Sequence, residues 1–315
     1  MKKMVFALLL MLLSTPIRAQ ESQTAYNFLR LPVSAHAAAL GGENISIIED
    51  DPSLMFSNPA LAASVSDMTI GFNYMNYMSG VSYASASFNK VLRDKLTMGV
   101  GAQYINYGKM KEVDENNVQT GEFSASDIAL SGVLTYELAR NLMGGITAKF
   151  VYGQMGGYNS LAMGVDLGLN YYNPETELSV SAVAKNLGGQ LKAYDQQFDH
   201  MPFDLQVGAS KMLGTTPFRL SLTLVDLTHY NYRFVNHLNL GLDALLSESF
   251  WVGAGYNFRR ADEMKIQTTD NDESTHGAGL SLGAGLNLER FHLNLAYGKY
   301  HVSSSSIIIN IAYAL

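Results

Sequence analysis

The stretch from Gly277 to Leu288 reads Gly-Ala-Gly-Leu-Ser-Leu-Gly-Ala-Gly-Leu-Asn-Leu. In an extended strand, Ala278, Leu280, Leu282, Ala284, Leu286 and Leu288 fall on one side and Gly277, Gly279, Ser281, Gly283, Gly285 and Asn287 on the other. A helix would mix the two sets. A strand of this kind has two solutions. In a water-soluble sheet the apolar side faces a core; in an outer-membrane barrel it faces lipid, and the small or polar side lines an enclosed interior.

Repetition decides between them. Phe291, Leu293, Leu295 and Tyr297 alternate with His292, Asn294, Ala296 and Gly298, and the chain closes on Ile307, Ile309, Ile311, Tyr313 and Leu315 against Ile308, Asn310, Ala312 and Ala314. From Met68 onward the pattern predicts fourteen strands, starting near residues 68, 80, 95, 122, 141, 160, 176, 203, 217, 236, 249, 276, 290 and 306. An even number suits a closed antiparallel barrel with both chain ends on one side. The connections alternate in length. Short ones fall at 89–93, 137–140, 173–175, 213–216, 247–248 and 288–289, and long ones at 108–121, 186–202, 227–235, 259–275 and 299–305, with a single tight exception near 78–80. Short periplasmic turns and long outer loops are the barrel asymmetry, and a sandwich gives no reason for it. The expected fold is therefore an all-β, transmembrane antiparallel β-barrel of about fourteen strands over residues 67–315.

Composition agrees. Charged residues make up 16%, against roughly 25% in soluble proteins, while Gly, Tyr and Phe are plentiful. The absence of cysteine excludes a disulfide framework, a thiol nucleophile, a lipid-anchored cysteine and thiolate metal ligation. Lys2 and Lys3, the apolar run from Met4 to Leu13 and the small residues ending at Ala19 read as a secretory signal peptide over 1–19. The formal charge of −7 disfavours nucleic acid as a partner.

Residues 20–66 do not alternate. Ser34 precedes the helix-forming run Ala35 to Leu40, and Gly41-Gly42 stops it. Glu49-Asp50-Asp51 and Asn58-Pro59-Ala60 follow. A segment too short to fold alone but rich in such signals is expected to be a hatch in the barrel mouth, its acidic trio capping turns or pairing with basic residues of the lumen. Lys149, Asp166, Arg219 and Asp243 share a face with Gly, Ser and Asn and are expected to point inward. Tyr77, Tyr107, Tyr136, Tyr152, Tyr171, Tyr256, Tyr300 and Tyr313 stand near strand ends, where aromatic girdles belong.

No enzyme constellation emerges. The seven histidines (His36, His200, His229, His237, His276, His292, His301) lack metal-protease spacing, and there is no G-x-S-x-G elbow. Glycine pairs such as Gly99/Gly101, Gly253/Gly255 and Gly283/Gly285 lie inside strands rather than between strand and helix, so they read as a roomy interior or a tight seat for the hatch. The acidic run Asp262-Glu263 with Asp270-Asn271-Asp272-Glu273 offers oxygens to Ca²⁺ but lacks the EF-hand spacing and reads as a solvated loop. No catalytic residue, metal ligand or cofactor is expected.

The opening segment carries a resemblance. Tyr26-Asn27-Phe28-Leu29-Arg30-Leu31-Pro32-Val33-Ser34-Ala35-His36-Ala37-Ala38-Ala39-Leu40-Gly41-Gly42, then Asp50-Asp51 and Asn58-Pro59-Ala60-Leu61, resembles the start of the PorV/PorQ family, and PorQ most. These are FadL-like outer-membrane proteins of the Bacteroidetes type IX secretion system. The resemblance implies a non-enzymatic barrel, set in outer-membrane lipid, that holds a PorU-like sortase and a PorZ-like surface protein in a complex attaching secreted cargo to lipopolysaccharide. It carries over Asn58, Pro59 and Ala60 as a structural signature of the hatch and no partner-binding residue. The ending Ala312-Tyr313-Ala314-Leu315 departs from the aromatic terminus of many barrels. Two functions follow as expectations: docking of surface partners on the long outer loops, or FadL-like passage of hydrophobic small molecules.

Overall fold

The computed structural model describes residues 24–78, 80–267, 273–274, 277–301 and 304–315. The expected signal peptide, residues 270–272 of the acidic run and His276 lie outside them. In chain order the strands are β1 (Thr69–Asn76), β2 (Ser82–Arg93), β3 (Leu96–Val113), β4 (Gln119–Ala139), β5 (Leu142–Met155), β6 (Tyr158–Asn173), β7 (Leu178–Lys192), β8 (Asp204–Met212), β9 (Phe218–Leu224), β10 (Leu238–Leu245) and β11 (Phe250–Asn257), then the short β12 (Ile266–Gln267) and β13 (Glu273–Ser274), and β14 (Leu280–Asn287), β15 (Phe291–His301) and β16 (Ser304–Ala314). Fourteen of them form one closed antiparallel barrel, while β12 and β13 pair with each other. β1 closes the ring, pairing Thr69 with Asn89 of β2 and with Ala314 of β16.

Burial is inverted relative to a water-soluble protein. Leu130, Leu134, Ile146, Leu220, Leu282 and Ile307 are exposed, while Ser131, Lys149, Asp166, Asn170, Ser221 and Asn310 are buried. The side chains that need water or partners are inside; the apolar ones stand outward as a lipid-facing belt. The four charges expected in the lumen are there, and they are paired. Lys149 Nζ lies 2.7 Å from Asp166 Oδ2, and Arg219 Nη2 lies 2.6 Å from Asp243 Oδ2.

Local chemistry corrects three details of the sequence reading. β14 begins at Leu280 because Gly277 and Gly279 adopt φ of +77° and +94°, which turns the chain before the strand and buries Ala278. Residues 108–121 are not a loop: β3 and β4 run on as a ribbon to Val113 and Gln119 and turn at 114–118. Tyr136, Tyr171 and Tyr313 are exposed near the short-turn ends with Phe218, Phe250 and Phe291, as a girdle requires. Tyr77, Tyr107 and Tyr300 instead turn inward: Tyr77 and Tyr300 pack edge to face, and the Tyr107 hydroxyl donates to Asp127 over 2.8 Å.

The N-terminal segment threads the lumen. Ala25 N–H donates to the His200 carbonyl at the long-loop end, and Asn89 at the short-turn end donates to the Val65 and Ser66 carbonyls. Between these points lie 3-10 turns at Asn27–Arg30, Pro52–Phe56 and Pro59–Ser64, and helix α1 (Ala35–Ala39). Ser34 Oγ caps α1 by accepting from Ala37 N–H, and Gly41 and Gly42, both at φ +100°, end it. Phe28, Leu29, Leu40, Ile45, Ile47, Leu54, Met55 and Leu61 of the segment are buried, so the apolar core of this molecule is the segment packed on itself and on the inner wall.

Candidate functional site

The wall receives the segment at glycines. On β5, a Cβ at Gly145 would stand 2.7 Å from the Pro59 carbonyl oxygen; on β11, one at Gly255 would stand 2.7 Å from Leu40 Cα and closer still to the Leu40–Gly41 peptide. Only a residue without a side chain permits such backbone-to-backbone approach. Gly283 on β14 admits the methyl group of Ala39 in the same way.

Asn58, Pro59 and Ala60 lie where this contact is tightest. Asn58 is fully buried and every polar group of its side chain is used: Oδ1 accepts from Ala60 N–H at 2.9 Å, and Nδ2 faces the carbonyls of Ile45 at 3.1 Å and Leu169 at 3.3 Å. Pro59 starts the 3-10 turn with its φ already set, and its carbonyl accepts from Thr135 Oγ1 at 2.6 Å. Asp51 caps the preceding turn through Ser53, and Asp50 accepts from Ser66 N–H. Burial raises the Asp51 carboxyl above its ordinary value against the pull of its Ser53 hydrogen bonds.

Helix α1 is fastened by charge. His36 is fully buried, with Nδ1 2.6 Å from Glu49 Oε1 and Nε2 3.1 Å from Asp243 Oδ2 on β10. Arg219 on β9 spans both carboxylates, at 2.9 Å to Glu49 and 2.6 Å to Asp243. The imidazole stacks on Trp251 of β11, ring centroids 3.4 Å apart and planes 3° from parallel, and the Trp251 indole N–H donates to Asn294. The donor atoms of His36, Glu49 and Asp243 converge within 4.8 Å, a spacing a divalent cation accepts. The Arg219 guanidinium already lies against both carboxylates, so a cation entering there would have to compete with it.

A second network fixes the long-loop end. Asp226, at φ +50°, accepts from Arg30 of the segment at 2.9 Å, pairs with Arg259 of helix α2 (Phe258–Glu263), and is met by His229 at 3.5 Å; its own N–H donates to Asp204 of β8. Arg259 also lies 4.9 Å over the Tyr232 ring, and Arg260 lies 3.8 Å over that of Tyr300. These contacts tie the 225–237 connection and helix α2 to the barrel and to the segment. Around them Phe198, Tyr230 and Phe234 stand 64%, 84% and 68% exposed.

The wall has a local split between β7 and β8. β7 pairs with β8 only as far as Lys185 with Asp204, although β7 continues to Lys192, and Asn186 sits at φ +59° beside a register shift against β6. The 193–203 connection fills the split: Asn186 Nδ2 donates to the Pro202 carbonyl, and Met201 is buried against Gly164. Between segment and wall, a cavity of about 10 Å³ bordered by Glu43, Asn44, Lys185 and Gln206 has room for one water at most.

Of the expected residues, Glu49 and Arg219 do meet, and Asn58, Pro59 and Ala60 contact β4, β5 and β6. His200 and His229 serve loop contacts. The His36–Asp243 pairing was beyond sequence reading: 207 positions separate the two residues, and no spacing rule links them.

Residues 53–306 match the family model described as type IX secretion system membrane protein PorP/SprF. No curated protein matches the sequence. Among solved structures, the toluene transporter TodX of Pseudomonas putida is similar with a TM-score of 0.59 at 12% identity, covering 90% of this chain and 97% of that one. The CymD monoaromatic hydrocarbon channel gives 0.57 at 14%, covering 90% and 97%, and a Pseudomonas aeruginosa FadL homologue 0.55 at 10%, covering 90% and 99%. At these identities the likeness is one of fold.

Proposed function

The chain belongs to the PorP/SprF family of type IX secretion system membrane proteins, a barrel component of the outer membrane, and from that premise we propose that it is a docking scaffold for surface proteins of the machinery. The observation that carries this reading is the brace at the long-loop end. A loop surface that binds a partner tightly must be ordered beforehand, because ordering it on association costs affinity. Asp226, held by Arg30, Arg259 and the Asp204 contact, supplies that order, and Phe198, Tyr230 and Phe234 supply the large rings that dominate protein interfaces. Residues 20–66 act in this scheme as the hatch, with Asn58, Pro59 and Ala60 as its seat in the wall. The likeness of residues 26–61 to PorQ suggests a PorU-like sortase and a PorZ-like protein as first candidates for the partners.

The test is an affinity pull-down from native outer membranes with Tyr230→Ala/Phe234→Ala beside the unaltered chain. Loss of co-purifying surface proteins with normal barrel assembly supports docking; undiminished recovery of the same partners overturns it.

The alternative is a FadL-like transporter of hydrophobic small molecules, and the split between β7 and β8 is the observation in its favour. Met201 and Pro202 close that split, so passage demands movement of the 193–203 connection. A hydrophobic molecule retained through purification and lost on Met201→Arg would favour transport over docking.

A further inference from the structure

His36 presents both ring nitrogens to carboxylates. A neutral imidazole has one donor and one acceptor nitrogen, and an acceptor aimed at a carboxylate is repelled. Only the doubly protonated ring satisfies Glu49 and Asp243 together. The group then contains two cations, His36 and Arg219, and two anions, and it balances. Its charged members come from α1 itself, the following stretch of the segment (Glu49), β9 (Arg219) and β10 (Asp243), and β11 adds Trp251, whose face favours a cation over a neutral ring. β14 and β15, which pack on the same helix, meet it with the uncharged Gly283 and, through Trp251, Asn294. The cluster is also in reach of solvent, because a cavity of about 460 Å³ at the short-turn end is lined by Ile48, Glu49, Arg219, Leu245, Phe250 and Trp251.

We propose that His36, Glu49, Arg219 and Asp243 form a proton-operated latch: the charged imidazole fastens helix α1 to β10 and β11, and its neutralisation leaves a buried carboxylate uncompensated and frees α1 from the wall. The latch concerns the segment alone and does not depend on which partner the outer loops bind. Burial by itself pushes the His36 imidazole down, but the Glu49 charge against Nδ1 and the Nε2 hydrogen bond to Asp243 outweigh it and leave the group above its ordinary value. Burial likewise pushes Glu49 up, and His36 and Arg219 more than reverse that, holding it below its ordinary value. A raised histidine gives stabilisation that is complete below its unfolded value of about 6.5 and is lost as pH rises through the folded value. A lowered glutamate gives stabilisation present above about 4.3 and lost as pH falls through its folded value. The latch is thus closed in mildly acidic to neutral surroundings and opens on the alkaline side.

Trp251 is the chain's one tryptophan, so its emission reports this site alone. A cationic imidazole stacked on indole quenches it more than a neutral one. For the refolded protein in detergent micelles, emission should rise with pH through a midpoint above about 6.5, should lose that titration in His36→Phe, and should titrate at lower pH in Asp243→Asn. His36→Gln serves if the phenylalanine variant does not assemble. Hydrogen exchange of the amides from Ala35 to Leu40, corrected for the intrinsic pH dependence, should accelerate through the same midpoint. Flat emission, a titration that survives both His36 variants, or an emission change without faster exchange would overturn the latch.

Discussion

At Gly145 a missing side chain does more for this structure than most side chains present. The Pro59–Ala60 peptide lies where a Cβ would be, and neither backbone yields easily, since one belongs to the barrel ladder and the other to a capped 3-10 turn. Gly145→Val should therefore push the turn off the wall, at about 1–3 kcal/mol for overpacking, which multiplies the undocked fraction of the segment by about 5 to 150. Gly132 on β4 is the control, because nothing lies within 4 Å of its missing Cβ. Chymotryptic cleavage near Phe28 and Phe56 should speed up correspondingly in Gly145→Val and stay at the native rate in Gly132→Val. The sequence marked such glycines as seats or empty space but did not say which, because their contacts with the segment are made by residues some 40 or more positions away. His36 is the stronger case: its partners are fixed only when β9, β10 and β11 come together.

Among the elements, the ribbon formed by β3 and β4 stands apart. β3 leaves β2 after the Ser82–Asn106 pair, and β4 leaves β5 at Ala125–Met155, with one last bond from Gly156 N–H to the Ser124 carbonyl; beyond these the two strands pair with each other. A two-stranded ribbon in water is marginal by itself, and this one contributes nothing to barrel closure. Replacing residues 110–123 by an Asn-Gly turn, which joins Lys109 to its partner Ser124, should leave barrel stability within about 0.5 kcal/mol of native, as judged by the temperature at which the folded form is lost on electrophoresis. A larger loss would mean that the ribbon braces the rim. This element also marks where sequence reading stopped. Strand starts were legible to within a few residues because one face of each strand must be apolar. Lys109 to Gly121 has no buried face to impose that pattern, so a polar ribbon and a polar loop read alike.

For the molecule as a whole, two surfaces must be satisfied at once: an outer belt solvated by lipid, and an inner wall solvated by its own N-terminal segment. The alternation revealed the first, since lipid imposes one rule on every strand. The second was legible only as a segment too rich in caps to be a tail. β10 separates the two demands within three residues. Gly241 and Asp243 face the segment, the first against Leu40 and the second against His36, while Leu242 between them is exposed. Leu242→Arg places a charge toward the bilayer midplane and should destabilise the barrel by about 2–4 kcal/mol in urea unfolding from lipid vesicles. Leu242→Phe, equally large and apolar, should be close to neutral. The cost should also shrink when the same substitution is made at Leu246, nearer the headgroups, because a charged side chain there reaches water. That depth dependence is peculiar to a lipid-facing wall; equal costs at the two positions would mean that this face is covered by protein instead.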